Sequence, residues 1–344
     1  MRPTRVLTWH VHGNYLYYLS RAVAGFYLPV RPDGRPGYGG RGTSFPFGPN
    51  VIEVPADEVR RLDFDCVLFQ SRQNYAEDQH EILSEYQRRL PRVYLEHDPP
   101  RDNPTDTRHP VDDPNVLLVH VTHFNRLMWD SGRTPTRVIE HGVLVPEGVR
   151  YTGELERGIV VVNNLAKRGR RLGRDVFDEA RRHVPLDLVG MGSEECGGLG
   201  EVKPMQLAAF EVRYRFFFNP IRYTSLGLAV CEAMMLGMPV VGLATTEMVT
   251  AVEDGVSGYL DTDPAKLVGR MRELLRDPAE ARRLGDAARR RARERFDVRR
   301  FARDWEAAFA LVTDHRSPIG PISPISPMKE ADNTRHPERT GAAS

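Results

Sequence analysis

Short apolar runs of four to six residues recur along most of the chain, separated by segments whose apolar positions return every three or four residues. Such alternation of strand-like and helix-like patterns predicts an α/β architecture with parallel sheets and crossover helices. Strands are expected at Arg5 to Thr8, Asp65 to Phe69, Arg92 to Leu95, Val116 to His120 and Arg137 to Ile139, with helices at Ala76 to Leu90 and Phe124 to Ser131. A second series is expected at Gly158 to Val162, Leu186 to Val189, Tyr214 to Phe218 and Val240 to Leu243, followed by helices at Pro264 to Arg276 and Ala279 to Ala310. The pattern divides into a first domain over 1–142, a linker over 143–157 carrying Pro146, Gly148 and Gly153, a second domain over 158–296 and a terminal helix over 297–314. Beyond it, the proline-spaced polar stretch 315–344 offers too little apolar surface to offset ordering entropy and is expected to be disordered. The glycine- and proline-rich loop Arg31 to Asn50 is long for a compact domain and is expected to act as a flap over the first domain's ligand side.

The run Asn219 to Leu260 breaks the simple pattern by placing Glu232 inside an apolar helix, where its neighbours three and four residues away are Leu228, Ala229, Met235 and Leu236. A buried carboxylate must meet a donor, supplied either by the protein or by hydroxyls of a ligand. The helix lies between an apolar strand and the run Pro239 to Leu243, which makes a βαβ unit. Ligands bind such units at the carboxyl ends of the strands, where Arg222, Tyr223, Thr224, Ser225 and the loop Ala244 to Glu247 fall. Lys167, Arg168, Arg170, Arg171 and Arg174 likewise follow a strand directly, as an anion site would require or as a solvated basic loop would show. Across the expected cleft, His10, His12, Gly13 and Asn14 follow one strand and Glu96, His97 and Asp98 another. Thr122, beside His120, His123 and Asn125, suits a helix cap.

Composition narrows the classes. The 344 residues carry 48 Lys and Arg against 47 Asp and Glu, a net charge of +1, which argues against a chain built to neutralise nucleic acid. The unpaired spacing of Cys66, Cys196 and Cys231 argues against disulfides and a zinc site, and points to a reducing compartment. No apolar run approaches transmembrane length and no signal peptide is visible, so a cytoplasmic location is expected, with contact at a membrane face left open. Gly37 to Gly42 spells a dinucleotide fingerprint without the strand before it or the helix after it, and Asp261-Thr262-Asp263 reads as a helix cap rather than a metal motif. No metal is expected.

The run GLAVCEAMMLGMPVV, followed by a polar loop and VEDGVSGYL, resembles the donor site of the family 4 glycosyltransferases, with weaker similarity over most of residues 1 to 310. That resemblance implies a GT-B fold of two Rossmann-like domains facing across a cleft, and retaining transfer of a sugar from a nucleotide-sugar donor to a sugar, lipid-linked or small-molecule acceptor. It implies no further cofactor, and a last helix that crosses back onto the first domain. Glu232 would hold the ribose, beside Leu228, while the first glutamate of the family's pair is replaced by Thr224. The Lys167 to Arg174 loop and the amides of Thr246, Glu247 and Met248 would hold the diphosphate. Gly190 and Gly192 would let backbone approach the base. Gly13 would approach the diphosphate or acceptor, and His97, Thr224 and Ser225 would contact the transferred sugar. No general base is assigned, because in this family the departing phosphate is thought to assist deprotonation. Two alternatives stand beside transfer: a degenerate sugar-nucleotide-binding protein, suggested by Thr224 and Asn164 where charged residues are expected, and a GT-B epimerase.

Overall fold

The computed structural model describes residues 2–314. The expected disorder of 315–344 lies outside the described residues. In the first domain, strands β1 (Thr4–Thr8), β2 (Ala24–Val30), β3 (Val51–Pro55), β4 (Cys66–Phe69), β5 (Arg92–Glu96), β6 (Val116–His120) and β7 (Thr136–Val138) form one parallel sheet in the order β3-β2-β1-β4-β5-β6-β7. Helices α1 (Gly13–Leu19), α2 (Gln79–Ile82) and α3 (His123–Met128) connect them. The second sheet contains β8 (Leu155–Val161), β9 (Leu186–Val189), β10 (Tyr214–Asn219), β11 (Val240–Leu243) and β12 (Gly258–Asp261), also parallel, in the order β12-β11-β10-β8-β9. Its helices are α4 (Leu165–Arg168), α5 (Arg174–Ala180), α6 (Pro204–Glu211), α7 (Leu228–Leu236), α8 (Met248–Ala251), α9 (Pro264–Arg276) and α10 (Pro278–Arg295), and α11 (Val298–Thr313) ends the described chain. None of these helices is long and apolar enough to cross a membrane.

The central strands are apolar on both faces because helices cover both. Every residue of β4, β6, β10 and β11 is buried. Arg215, inside β10, is tolerated because its guanidinium donates to the carbonyls of Gly153, Leu274 and Leu275, two of them at the carboxyl end of α9. Helix α7 ends at Gly237 in the left-handed region, φ +91°.

Several expected elements differ in extent. The helix expected over Ala76 to Leu90 is interrupted: a wide turn over Asn74–Asp78 leads into α2, and a separate turn forms at Gln87–Arg89. Ser84 and Gln87 bond each other's backbone N–H reciprocally and so start a new turn there. Strand β8 begins at Leu155, inside the expected linker. The stretch from Ala279 to Ala310 is two helices, because Asp297 caps the Arg300 N–H at 2.8 Å and turns the chain. Helix α11 then packs on the first domain. Trp305 donates to the Tyr15 hydroxyl at 3.1 Å, and Phe301 and Phe309 meet Tyr15 and Phe26. Gly142 has no room for a side chain there, since a Cβ would stand 2.2 Å from that of Phe301.

The loop Arg31 to Asn50 is tied down rather than open. Gly37 and Gly39 pair with His10 and Val30, the His10 ring bonds the Gly40 carbonyl, and Tyr38 is 1% exposed with Arg31 and Arg35 over its ring.

Candidate active site

Strand order reverses between β1 and β4 in one sheet and between β8 and β10 in the other, and such switch points are where open parallel sheets bind ligands. Beside these switch points, the loops after β5, β6 and β7 meet those after β10 and β11 between the domains. His141 Nε2 donates to the Leu226 carbonyl at 2.7 Å, the Tyr223 hydroxyl donates to the Pro100 carbonyl at 2.8 Å, and the Phe124 N–H donates to Glu247 at 2.8 Å. The Tyr223 ring lies edge-on to Phe124.

The cations after β8 are not equivalent. Arg170 pairs with Asp175 at 2.6 Å, and Arg174 with Asp178 at 3.4 Å, so both are turned to their own acids. Asp175 also holds Arg222 through two bonds, while the Arg171 carbonyl accepts the N–H groups of Arg222 and Tyr223. These bonds tie the basic loop to the turn after β10. Gly173 completes the tie: at φ +80°, a Cβ there would stand 1.8 Å from the Pro220 carbonyl oxygen. Among the described residues, Lys167, Arg168 and Arg171 have no partner in an ion pair or side-chain hydrogen bond. Lys167 is exposed, whereas Arg168 and Arg171 are half-buried. The Arg168 pKa is lowered by partial burial and by Arg171 and Arg101, with Asp98 acting in the opposite direction, and the Arg168 charge is felt at His12. Arg168 therefore faces the first domain across the cleft.

Glu232 is 9% exposed, and its donors are protein groups of the first domain. Asn14 Nδ2 donates to Oε1 at 2.8 Å and the Tyr18 hydroxyl donates to the same atom at 2.7 Å, leaving Oε2 without a partner among the described residues. Of the two donor sources expected for this carboxylate, protein groups occupy one oxygen. Burial raises its pKa, and the Tyr18 and Asn14 bonds oppose that rise. Nearby, Glu211 is a second buried carboxyl that the sequence did not flag; it is 1% exposed and its Oε2 has no partner. Burial, then the Glu232 charge, pushes its pKa well up. Thr224 and Ser225 lie on the turn before α7, their hydroxyls without a hydrogen bond among the described residues, and Leu228 opens the helix half-buried.

Residues 175–277 match the family model for glycosyl transferases group 1. The two facing sheets form a GT-B fold. Sucrose-phosphate synthase from Thermosynechococcus elongatus superposes with a TM-score of 0.63 at 15% identity, over 90% of this chain and 98% of that one. HepE from Anabaena, in complex with UDP and glucose, superposes with a TM-score of 0.61 at 16% identity, over 90% and 100%. A 72-residue stretch is 35% identical to trehalose synthase from Pyrococcus horikoshii and takes in 21% of this chain but only 17% of that protein.

In this GT-B cleft the remaining expected contacts are redistributed. The anion cradle at Thr246 to Met248 is smaller than expected, because the Met248 N–H is bonded to the Thr245 carbonyl and α8 is a single turn. Thr246 holds φ +51°, and the Thr246 and Glu247 N–H groups have no acceptor among the described residues. The Glu247 side chain points away to Arg295 at 2.7 Å, which also grips Glu140, so it clamps the domains together. Packing requires Gly190, since a Cβ would lie 2.5 Å from the Val162 carbonyl oxygen. Gly192 backs onto Asn164, and Gly13 onto His10 and Phe45.

The histidines of the first domain gather behind this surface. The His97 ring lies 4.1 Å from that of His12 and 4.9 Å from that of Tyr15, with its Nε2 enclosed and unpartnered. Burial, then His12 and His141, holds its pKa well below the usual range. Burial takes His141 down to about 4 and His120 to about 3. His120 and Asn125 are fully enclosed, their side-chain polar atoms unpaired among the described residues, while Thr122 caps α3 by accepting from the Asn125 backbone N–H. The three cysteines are free and buried, and no cluster of three or more His, Cys, Asp or Glu suited to a metal occurs among the described residues.

Proposed function

We propose that this chain is a retaining glycosyltransferase that moves a sugar from a nucleotide-sugar donor to an acceptor within the cytoplasm, without a metal cofactor. The observation that carries this reading is that Arg168, with no ion pair among the described residues, faces the first domain from a loop that Asp175, Arg222 and Gly173 tie to the turn leading to Thr224 and Ser225. Arg168 would meet the diphosphate, with Arg171, Lys167 and the Thr246 and Glu247 amides supporting it. Neutralising the departing nucleoside diphosphate is the main electrostatic task of the reaction, and preorganised donors aimed at it are worth about a hundredfold to a thousandfold in rate each. Glu232 Oε2 would accept from the ribose, and Thr224, Ser225 and His97 would line the sugar. Burial keeps His97 neutral and its Nε2 is enclosed, so its Nδ1 would serve as the hydrogen-bonding group, and not as a cation. HepE, solved with UDP-glucose, and TarM, solved with UDP, share the fold, and their ligands make a nucleotide-sugar donor the natural class here.

Thr224 favours a second reading, binding without transfer, because a hydroxyl cannot carry negative charge toward the sugar. A panel of UDP-, GDP-, ADP- and dTDP-sugars with and without magnesium, read by ligand-observed NMR and by slow donor hydrolysis, separates the two. Metal-independent binding with release of sugar supports transfer. Binding with no hydrolysis and no transfer to any acceptor supports the second reading, and binding by none refutes both.

A further inference from the structure

The two donors on Glu232 share one oxygen, and that asymmetry bears on which nucleotide sugars the site accepts. Resting on the nucleotide-sugar reading above, we propose that Asn14 and Tyr18 make this site indifferent to the donor's 2′-hydroxyl, so that ribo- and 2′-deoxyribonucleotide sugars both bind. A carboxylate oxygen offers two lone pairs, and Asn14 Nδ2 at 2.8 Å and the Tyr18 hydroxyl at 2.7 Å use both on Oε1. The side-by-side grip on a vicinal diol, one hydroxyl per oxygen, is thereby closed, and Oε2 is left to accept alone.

Neither donor can step aside at small cost. The Tyr18 side chain is 5% exposed, sits in the core shared by the two domains, and also faces the Leu144 carbonyl at 3.5 Å. Asn14 lies in the first turn of α1, whose following residues Tyr15, Leu16, Tyr17, Tyr18 and Leu19 are all buried. Swinging either away would strip a buried carboxylate of a charge-assisted hydrogen bond. A single accepting oxygen is satisfied by either ribose hydroxyl, so a nucleotide lacking the 2′-hydroxyl still satisfies Oε2 through the 3′-hydroxyl.

The test compares dissociation constants of the full chain for UDP and dUDP, GDP and dGDP, and ADP and dADP by calorimetry. For whichever base binds, the deoxy to ribo ratio is expected to stay below about threefold, where a two-oxygen grip would give tenfold or more. Tyr18→Phe combined with Asn14→Ala frees Oε1, and the ratio is then expected to rise to about tenfold. Tyr18→Phe alone keeps the ring packed and should move the ratio part of the way. A wild-type ratio above tenfold, or a double variant that binds with an unchanged ratio, overturns the inference while leaving the functional reading intact. Binding of none of the six nucleotides overturns the functional reading, and this inference with it.

Discussion

Replacing Arg168 by alanine tests the charge assignment most directly, because Arg170 two residues away serves as an internal control. Arg168 is half-buried and has no acid within ion-pair distance among the described residues, so a bound diphosphate would be its first strong partner there. A hydrogen bond to a charged group contributes about 1.5 to 3 kcal/mol, which is roughly tenfold to 150-fold in affinity. Arg170 is different: its side chain is 77% exposed and already paired with Asp175, and exposed pairs contribute about 0 to 1 kcal/mol. Calorimetric titration of both variants with a nucleoside diphosphate and with the matching nucleoside should show Arg168→Ala losing at least tenfold on the diphosphate and nothing on the nucleoside. Arg170→Ala should stay within about threefold on both. Equal losses in the two variants, or a diphosphate affinity in Arg168→Ala within twofold of wild type, would refute the argument that pairing decides which cation is available.

Other expectations follow from the interface and the buried groups. Arg295→Ala leaves Glu247, 2% exposed at its side chain, with its main ion partner gone, and should cost about 3 to 5 kcal/mol in urea unfolding. Glu211→Gln should stabilise the protein increasingly as pH rises from about 4.5 through neutrality. There the unfolded carboxyl loses its proton while the folded one, with its raised pKa, keeps it, so wild-type stability falls over that range. His141, held at about 4, works in the other direction: below pH about 6.5 the unfolded ring gains a proton that the folded ring refuses, so stability drops toward pH 4, and His141→Gln should flatten that drop in pH-dependent melting curves. Gly173→Ala must resolve a contact of 1.8 Å with the Pro220 carbonyl at a left-handed φ, and should lower stability by about 2 kcal/mol or more on thermal unfolding.

What could be read from the sequence was what local pattern controls. Strand β11 and helix α9 fall where their apolar runs place them, because Gly237-Met238-Pro239 and Asp263-Pro264 mark their starts. Strand β2 escaped because Gly25 and Pro29 interrupt its apolar run, and β3 because it is an edge strand ending in proline. Helix α1 carries three tyrosines and no capping side chain at His12, so nothing local announces it. The break before α11 was legible in principle, since Asp297 is an N-cap residue. The site was legible as far as Glu232 needing a donor. Which donor was not, because Asn14 and Tyr18 lie 218 and 214 positions away. The ranking of the cations was equally hidden, since it depends on Arg222 reaching back to Asp175.

Helix α11 also sets an order on the making of the protein. The strands of the first domain leave the ribosome before those of the second, yet part of its core is Phe301, Trp305 and Phe309. Domains generally fold as units in the order they emerge, and here that order is inverted. Through most of translation Tyr15 and Phe26 wait without their covering helix, while the second sheet already has all its strands once residue 261 has appeared. The unfinished first half is thus the stretch most exposed to chaperones and to premature association, and a message truncated just before Val298 would yield a complete second sheet tethered to a first domain that cannot close its core.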